Sequence, residues 1–258
     1  MAKTFLLALD AGHWINEPGR RCMKKFDTDE TREWTLNDRV SDYIAQRAAM
    51  YEGFKTIRVD DTTGKTEVSL AERCRRANNA GADFYLSNHH NGGVNGGSGG
   101  GVEAFSYPGS KNGAEWRNAL YEAVVTAGKL KGNRANPKTT ANFHVLRETK
   151  MPAVLIEYGF MDSKTDVPVI VSAKYAKAVG YAVADCIANR EGLKLMEDTD
   201  MSKFIDVDDK AWYADEVDYC AEHGLMSGTG NDKFEPTKPI TRAEVAAVIA
   251  RLHKELTK

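Results

Sequence analysis

Three things are scarce in this chain of 258 residues: net charge, long apolar runs and paired cysteines. Its 35 Lys and Arg nearly balance its 37 Asp and Glu, for a formal net charge of −2. No strong field of one sign is available to recruit nucleic acid or an anionic membrane. A basic–aromatic surface pattern, which a nucleic-acid module would need, is also missing. The imbalance that exists is local: residues 204–258 carry 7 basic and 11 acidic side chains, net −4. The apolar run Phe5–Leu9 is far too short for a membrane span and lacks a signal-peptide cleavage pattern. No later segment approaches transmembrane length. The expectation is synthesis in the cytoplasm without a signal peptide. Cys22, Cys74, Cys186 and Cys220 form no Cys-x-x-Cys pair. Four reduced, mostly buried thiols are expected, not a disulfide framework or a sulfur-ligated zinc.

What is present is an apolar fraction of 42%, enough for a well-packed core. Strand-like runs at Phe5–Leu9, Phe54–Val59, Asp83–Ser87, Val102–Tyr107 and Ala153–Glu157 alternate with helical patterns. Those patterns cover Glu33–Met50, Ser69–Ala80, Ala114–Leu130 and Ala173–Arg190. The alternation predicts an α/β domain over 1–190, with a mixed sheet and helices on both faces. Gly92–Gly101 reads as a mobile loop directly after a strand. Residues 191–202 read as a polar linker. Residues 203–258 read as a small all-α domain with helices at Ala211–His223 and Thr241–Leu252. The second of these opens with a Thr-x-x-Glu capping box, Thr241 to Glu244. So few large apolar groups make a marginal core, so this segment is expected to lean on a neighbour or self-associate.

The chemistry concentrates at predicted strand ends. His13 follows Leu6–Gly12, and His89 follows Phe84–Asn88. In open α/β sheets the crevice beyond the strand carboxyl ends binds ligands. Glu157 closes the run Val154–Ile156, where a buried charge needs a partner. A hydrolytic zinc site requires three protein ligands and one open position. Two imidazoles and a carboxylate from the first helix, Glu30 or Glu33, would supply them. Glu157 would then be free to act as general base. On pattern alone His90 rivals His89. His144, His223 and His253 have no neighbouring ligand pattern and read as structural or solvated.

Six motifs occur in order over about 160 residues. They are Asp10-Ala11-Gly12-His13, Glu33 with Asn37 four residues on, and Ser69-Leu70 with Arg73, Asn78 and Asp83. Then come Ser87-Asn88-His89-His90-Asn91, Gly101-Val102-Glu103 and Pro152-Ala153-Val154-Leu155-Ile156-Glu157-Tyr158-Gly159-Phe160. Together they resemble the zinc-dependent N-acetylmuramoyl-L-alanine amidases, the α/β-sandwich branch of autolysins and phage endolysins. The resemblance implies one catalytic Zn²⁺ on His13, Glu33 and His89, with Glu157 as the catalytic carboxylate. It implies hydrolysis of the amide between N-acetylmuramic acid and L-alanine in peptidoglycan. It selects Glu33 over Glu30 and His89 over His90, and it makes His90 and Asn91 candidate substrate contacts. The family's Ser-Ile-His-Ala-Asn is Ser-Asn-His-His-Asn here, which places a second imidazole beside the metal. With no export signal, a phage or prophage endolysin is expected. The alternatives are a bacterial autolysin, a zinc peptidase acting on the stem peptide, or a wall-binding protein whose sandwich has lost activity.

The C-terminal segment resembles an S-layer homology unit. It carries Phe204-Ile205-Asp206-Val207, Trp212-Tyr213, Gly224-Leu225-Met226-Ser227-Gly228, Phe234-Glu235-Pro236 and Ile240-Thr241-Arg242-Ala243-Glu244. This resemblance implies docking to secondary cell-wall polysaccharide, with Arg242, Asp206 and Trp212 as candidate polymer contacts. An Arg fork suits a carboxylate ligand. Three units usually make the binding surface. One unit implies weak binding or trimerisation of the chain.

Overall fold

In the computed structural model, which describes residues 4–196, 204–208 and 211–256, the opening apolar run becomes β1 (Phe5–Ala11). There follow α1 (Glu33–Ala48), β2 (Phe54–Arg58), α2 (Leu70–Ala80), β3 (Phe84–Asn91) and β4 (Glu103–Ser106). Next come α3 (Lys111–Gly128), β5 (Lys138–Thr140), α4 (His144–Arg147), β6 (Ala153–Phe160), α5 (Val167–Ile170) and α6 (Ala173–Glu191). The six strands form one sheet in the order β2-β1-β3-β6-β4-β5. Only the β4–β6 pair is antiparallel. The sheet is therefore mixed, with helices on both faces.

Period-two alternation assigns the strand residues to those faces. Leu7, Leu9, Phe84, Leu86, Val154 and Ile156 point into the larger core, with Val40 and Ile44 of α1 and Val179 and Val183 of α6. Ala8, Tyr85, Leu155 and Ala153 point the other way, into a smaller core with Cys74 and Ala77 of α2 and Val145 and Leu146 of α4. Helix ends follow their sequence signals. The Ser69 hydroxyl caps α2 by accepting from the Glu72 amide, and Gly81 ends that helix in the left-handed conformation.

Two strands run further than their apolar runs suggest. β3 was expected to stop at Ser87 and β6 at Glu157, but they continue to Asn91 and Phe160. His89 and Glu157 therefore sit within paired strand, as direct register partners. The apolar pattern marks only the part of a strand that faces core. Backbone pairing carries the ladder on through polar residues that face a cleft. The glycine-rich loop after β3, expected to be mobile, is pinned. Asp162 accepts the Gly93 and Asn95 amides, Asp166 accepts the Gly101 amide and Asn133 accepts the Gly100 amide.

The chain divides into two compact units, Met1–Leu195 and Met196–Lys258. The residues just after α6 pack on the first unit: Leu193 is buried and Leu195 bridges to Tyr51. The remainder of the segment read as a linker, residues 197–202, lies outside the described residues. The second unit contains α7 (Ala214–Glu222) and α8 (Arg242–Leu256). Its small core is Phe204, Val207, Ala214 and Val217, with Tyr213 and Phe234 against it. The capping box forms as read: Glu244 N–H donates to Thr241 Oγ1, and Thr241 N–H donates to the Glu244 carboxylate.

Candidate metal and catalytic site

One row of side chains crosses the sheet on the α2/α4 face. His89 of β3 is the register partner of Glu157 of β6, which in turn is the partner of Glu103 of β4. β1 delivers His13 two residues past its end, and the first turn of α1 delivers Glu33. Glu33 Oε1 lies 3.4 Å from His13 Nε2 and 3.1 Å from His89 Nδ1. All three donor atoms fall within 4.8 Å of one another. A tetrahedral zinc with ligand bonds near 2.0–2.1 Å would set its donors about 3.3 Å apart, so the carboxylate-to-imidazole spacings match that edge. Glu33 Oε2 is buried without a hydrogen-bond partner, a position a cation would relieve. Two imidazoles and one carboxylate are a donor set suited to zinc. Glu30 is placed elsewhere, on Arg21 and Lys24.

The local backbone explains the Asp-x-Gly-His spacing. A Cβ at Gly12 would lie 2.1 Å from Cε1 of His89, so only glycine lets that ring sit where it does. His13 itself has φ +67, a strained value for a non-glycine residue. Arg73 holds it there. Its guanidinium donates to the His13 carbonyl (2.6 Å) and the Ala11 carbonyl (2.7 Å) and pairs with Asp10. Asp10 also accepts from the Tyr85 and Ser87 hydroxyls. Arg73 and Asp10 are both buried, so this pair is a shielded one. Motif position alone did not disclose that Arg73 clamps the His13 loop; only the long-range contact does.

Electrostatics divide the two acids. Burial works against ionising Glu33, but hydrogen bonds and charge from His13 and His89 outweigh it and hold its carboxyl well below the usual range. Burial, then the charges of Glu33 and Glu103, push Glu157 well above the usual carboxylate range. Its Oε2 is buried and has no hydrogen-bond partner. Arg20 stands at the lip, half exposed, 3.8 Å from Glu33 Oε2, and opposes that rise.

His90 does not share the cleft. Strand alternation turns its ring to the opposite face from His89, where it is 1% exposed. Its Nδ1 meets Asn37 Oδ1 at 2.8 Å, and it packs beside Tyr158. The expected substrate contact by His90 is therefore corrected: its ring is sealed under α1. Asn37 also donates to the Gly12 carbonyl, so the fourth residue after Glu33 ties α1 to the His13 loop. Asn91 is half-buried and donates to Glu103 Oε2.

In the second unit each of the three candidate polymer contacts has its own surroundings. Asp206 accepts the Phe234 and Glu235 amides at 2.8 and 2.9 Å. Trp212 is 86% exposed and meets Tyr213 edge-on. Arg242 is exposed on the first turn of α8.

Against known proteins, the sequence profile of N-acetylmuramoyl-L-alanine amidases matches residues 7–189, and that of the S-layer homology domain matches residues 203–246. A sporulation-specific N-acetylmuramoyl-L-alanine amidase of Bacillus subtilis is 33% identical over 199 residues, 75% of this chain and 70% of that protein. An N-acetylmuramoyl-L-alanine amidase of Bacillus licheniformis is 38% identical over 127 residues, and the endolysin of Bacillus phage SPP1 is 32% identical over 129. The matched segment spans about half the length of each of these last two proteins, 47% and 46%. Among solved structures, an N-acetylmuramoyl-L-alanine amidase from Clostridium difficile 630 superposes with a TM-score of 0.65 at 25% identity. It covers 74% of this chain and 98% of that one.

Proposed function

Since the chain belongs to the N-acetylmuramoyl-L-alanine amidase family, we propose that it is a zinc-dependent peptidoglycan hydrolase that cuts the amide between N-acetylmuramic acid and L-alanine. The observation that carries this reading is the convergence of His13, Glu33 and His89 beside Glu157, with one oxygen of each acid buried and without a hydrogen bond. His13, Glu33 and His89 would hold the ion. When bound, zinc would supply Lewis-acid polarisation of the scissile carbonyl and acidify the attacking water. Glu157 takes the proton from that water and returns it to the departing amine of L-alanine. Burial raises the proton affinity of this carboxyl, which suits a group that must carry a proton from water to the amine. Asn91, beside Glu103, remains a candidate substrate contact.

Two sets of variants test the roles. Glu157→Gln keeps bound zinc and loses roughly 10²–10⁴ of turnover, the usual worth of a proton-transferring side chain. His13→Ala and His89→Ala lose zinc by elemental analysis, while His90→Ala retains it. Mass spectrometry of muropeptides after digestion, with and without chelator, identifies the bond. Free stem peptides that begin with L-alanine support the amidase. Shortened stems still attached to sugar would instead identify a stem-peptide peptidase.

The second unit is proposed to dock the enzyme on secondary cell-wall polysaccharide through Arg242, Trp212 and Asp206, with self-association into a trimer completing the surface. Cosedimentation of Arg242→Ala with purified walls tests it, since undiminished binding removes Arg242 from that role. The endolysin role draws on the phage relative. Expressed inside a Gram-positive host, the protein should lyse cells promptly once the membrane is permeabilised. Slow remodelling without lysis would make it a bacterial autolysin.

A further inference from the structure

We propose that Arg134 is the recognition point for a free carboxylate on the peptide side of the scissile amide, a role that rests on the amidase reading. Three carboxylates line the cleft: Glu33, Glu157 and Glu103. At the Glu103 end, two strands from the proposed zinc, an acidic peptide meets that carboxylate's repulsion unless a cation offsets it. Arg134 is that cation at the Glu103 end. Its Nε donates to Glu103 Oε1 at 3.2 Å, and its guanidinium lies 5.3 Å from the Phe160 ring centroid. Glu103 is itself held: Asn91 Nδ2 donates to its other oxygen at 2.9 Å, and its side chain is 8% exposed. The guanidinium is thus aimed by a buried acid and supported on an aromatic face, yet the side chain is 45% exposed. Among the described residues it makes no other hydrogen bond or ion pair, so its two terminal amino groups form an open fork. A fork of this kind is the geometry that takes a carboxylate through two parallel hydrogen bonds.

The spacing assigns the side. Neighbouring strands lie about 4.8 Å apart, so the Glu103 backbone stands two strand spacings, about 10 Å, from that of His89. An extended peptide advances about 3.4 Å per residue. That distance is about three residues of extended chain, so a group carried on the second or third residue beyond the cut reaches the end of this row. The lactyl carboxyl of the sugar is consumed in the scissile amide, so free carboxylates lie on the peptide. The substrate class that fits is a muramoyl-L-alanyl peptide whose second residue keeps its α-carboxylate, in preference to one amidated there.

The test compares muramoyl-L-alanyl-D-glutamate with the same compound carrying the α-carboxamide, using the intact protein and Arg134→Ala. The wild type should prefer the carboxylate by about tenfold or more in kcat/KM, mostly through KM. Arg134→Ala should lose that preference by failing on the carboxylate alone, and Arg134→Lys should recover part of it. Zinc content should not change. An equal loss on both substrates would make Arg134 a structural residue, and no loss on either would remove it; each overturns the proposal. If the wild type releases L-alanyl peptide from neither compound but cleaves a bond within the stem, the amidase reading fails first and this proposal falls with it.

Discussion

The two units bury their apolar residues very differently. In the first, Leu7, Val40, Ile44, Leu120 and Ile156 are all fully buried between sheet and helices. In the second, Ile205, Trp212, Tyr219, Ile240, Val245, Ile249 and Leu252 remain exposed, and the core is four residues with a few neighbours. Val245, Ile249 and Leu252 share one stripe of α8 at helical spacing. A sheet with three long helices on one face supplies enough facing surface to close its own core. Some 55 residues with two helices do not, as the scaling of surface to volume predicts. The first unit therefore holds His13 in a strained backbone beside Glu33 and His89. The second keeps outside what a neighbour would otherwise cover.

Four changes sharpen or break this contrast. Arg73→Ala should cost the most, about 3–5 kcal/mol, because it leaves Asp10 as a buried unpaired charge and frees the His13 loop. Urea unfolding followed by zinc titration reads both effects. A cost below about 1 kcal/mol would mean the pair is not shielded. Ile44→Ala, in the closed core, should cost about 2–5 kcal/mol in the same assay.

Next is a pH slope. Burial lowers His90 to about 3, against an ordinary value of 6.5. Between those values the unfolded chain binds a proton that the native state does not. His90 should therefore make the zinc-free protein lose stability as pH drops from about 6.5 towards 3, contributing at most about 1.4 kcal/mol per pH unit to the slope. His90→Gln should flatten the slope, and an unchanged slope would place its origin elsewhere.

The smallest effect should come from Ile249→Ala, the counterpart of Ile44→Ala. Ile249 is 60% exposed, so the change should stay within about 0.5 kcal/mol in dilute monomer. A larger cost that grows with protein concentration would show that the α8 stripe is covered by a second copy.

Much of both units could be read from local pattern. Ser69, Gly81 and the Thr241–Glu244 box state where helices start and stop, because a cap depends on residues three or four apart. The motif order around His13, Glu33, His89 and Glu157 was likewise visible. Less was visible wherever a side chain's partner is remote in sequence. β5 has only Lys138–Thr140 and no apolar run, so it exists through its pairing with β4. Arg134 lies 31 residues from Glu103, and nothing in its neighbourhood signals that contact.

The sequence by itself determined the order of five of the six strands and of the four longest helices of the first unit, a large α/β segment followed by a small helical one, and which residue types could make a hydrolytic centre. Those follow from short-range periodicity and capping. Only the tertiary structure decided that His90 turns away while His89 turns in, because that depends on which face of β3 meets α1. Tertiary structure also decided that Glu157 is flanked by His89 and Glu103, because sheet register places residues 89, 157 and 103 side by side. Local spacing names the candidates. Long-range pairing sets their distances, their shielding and hence their chemistry.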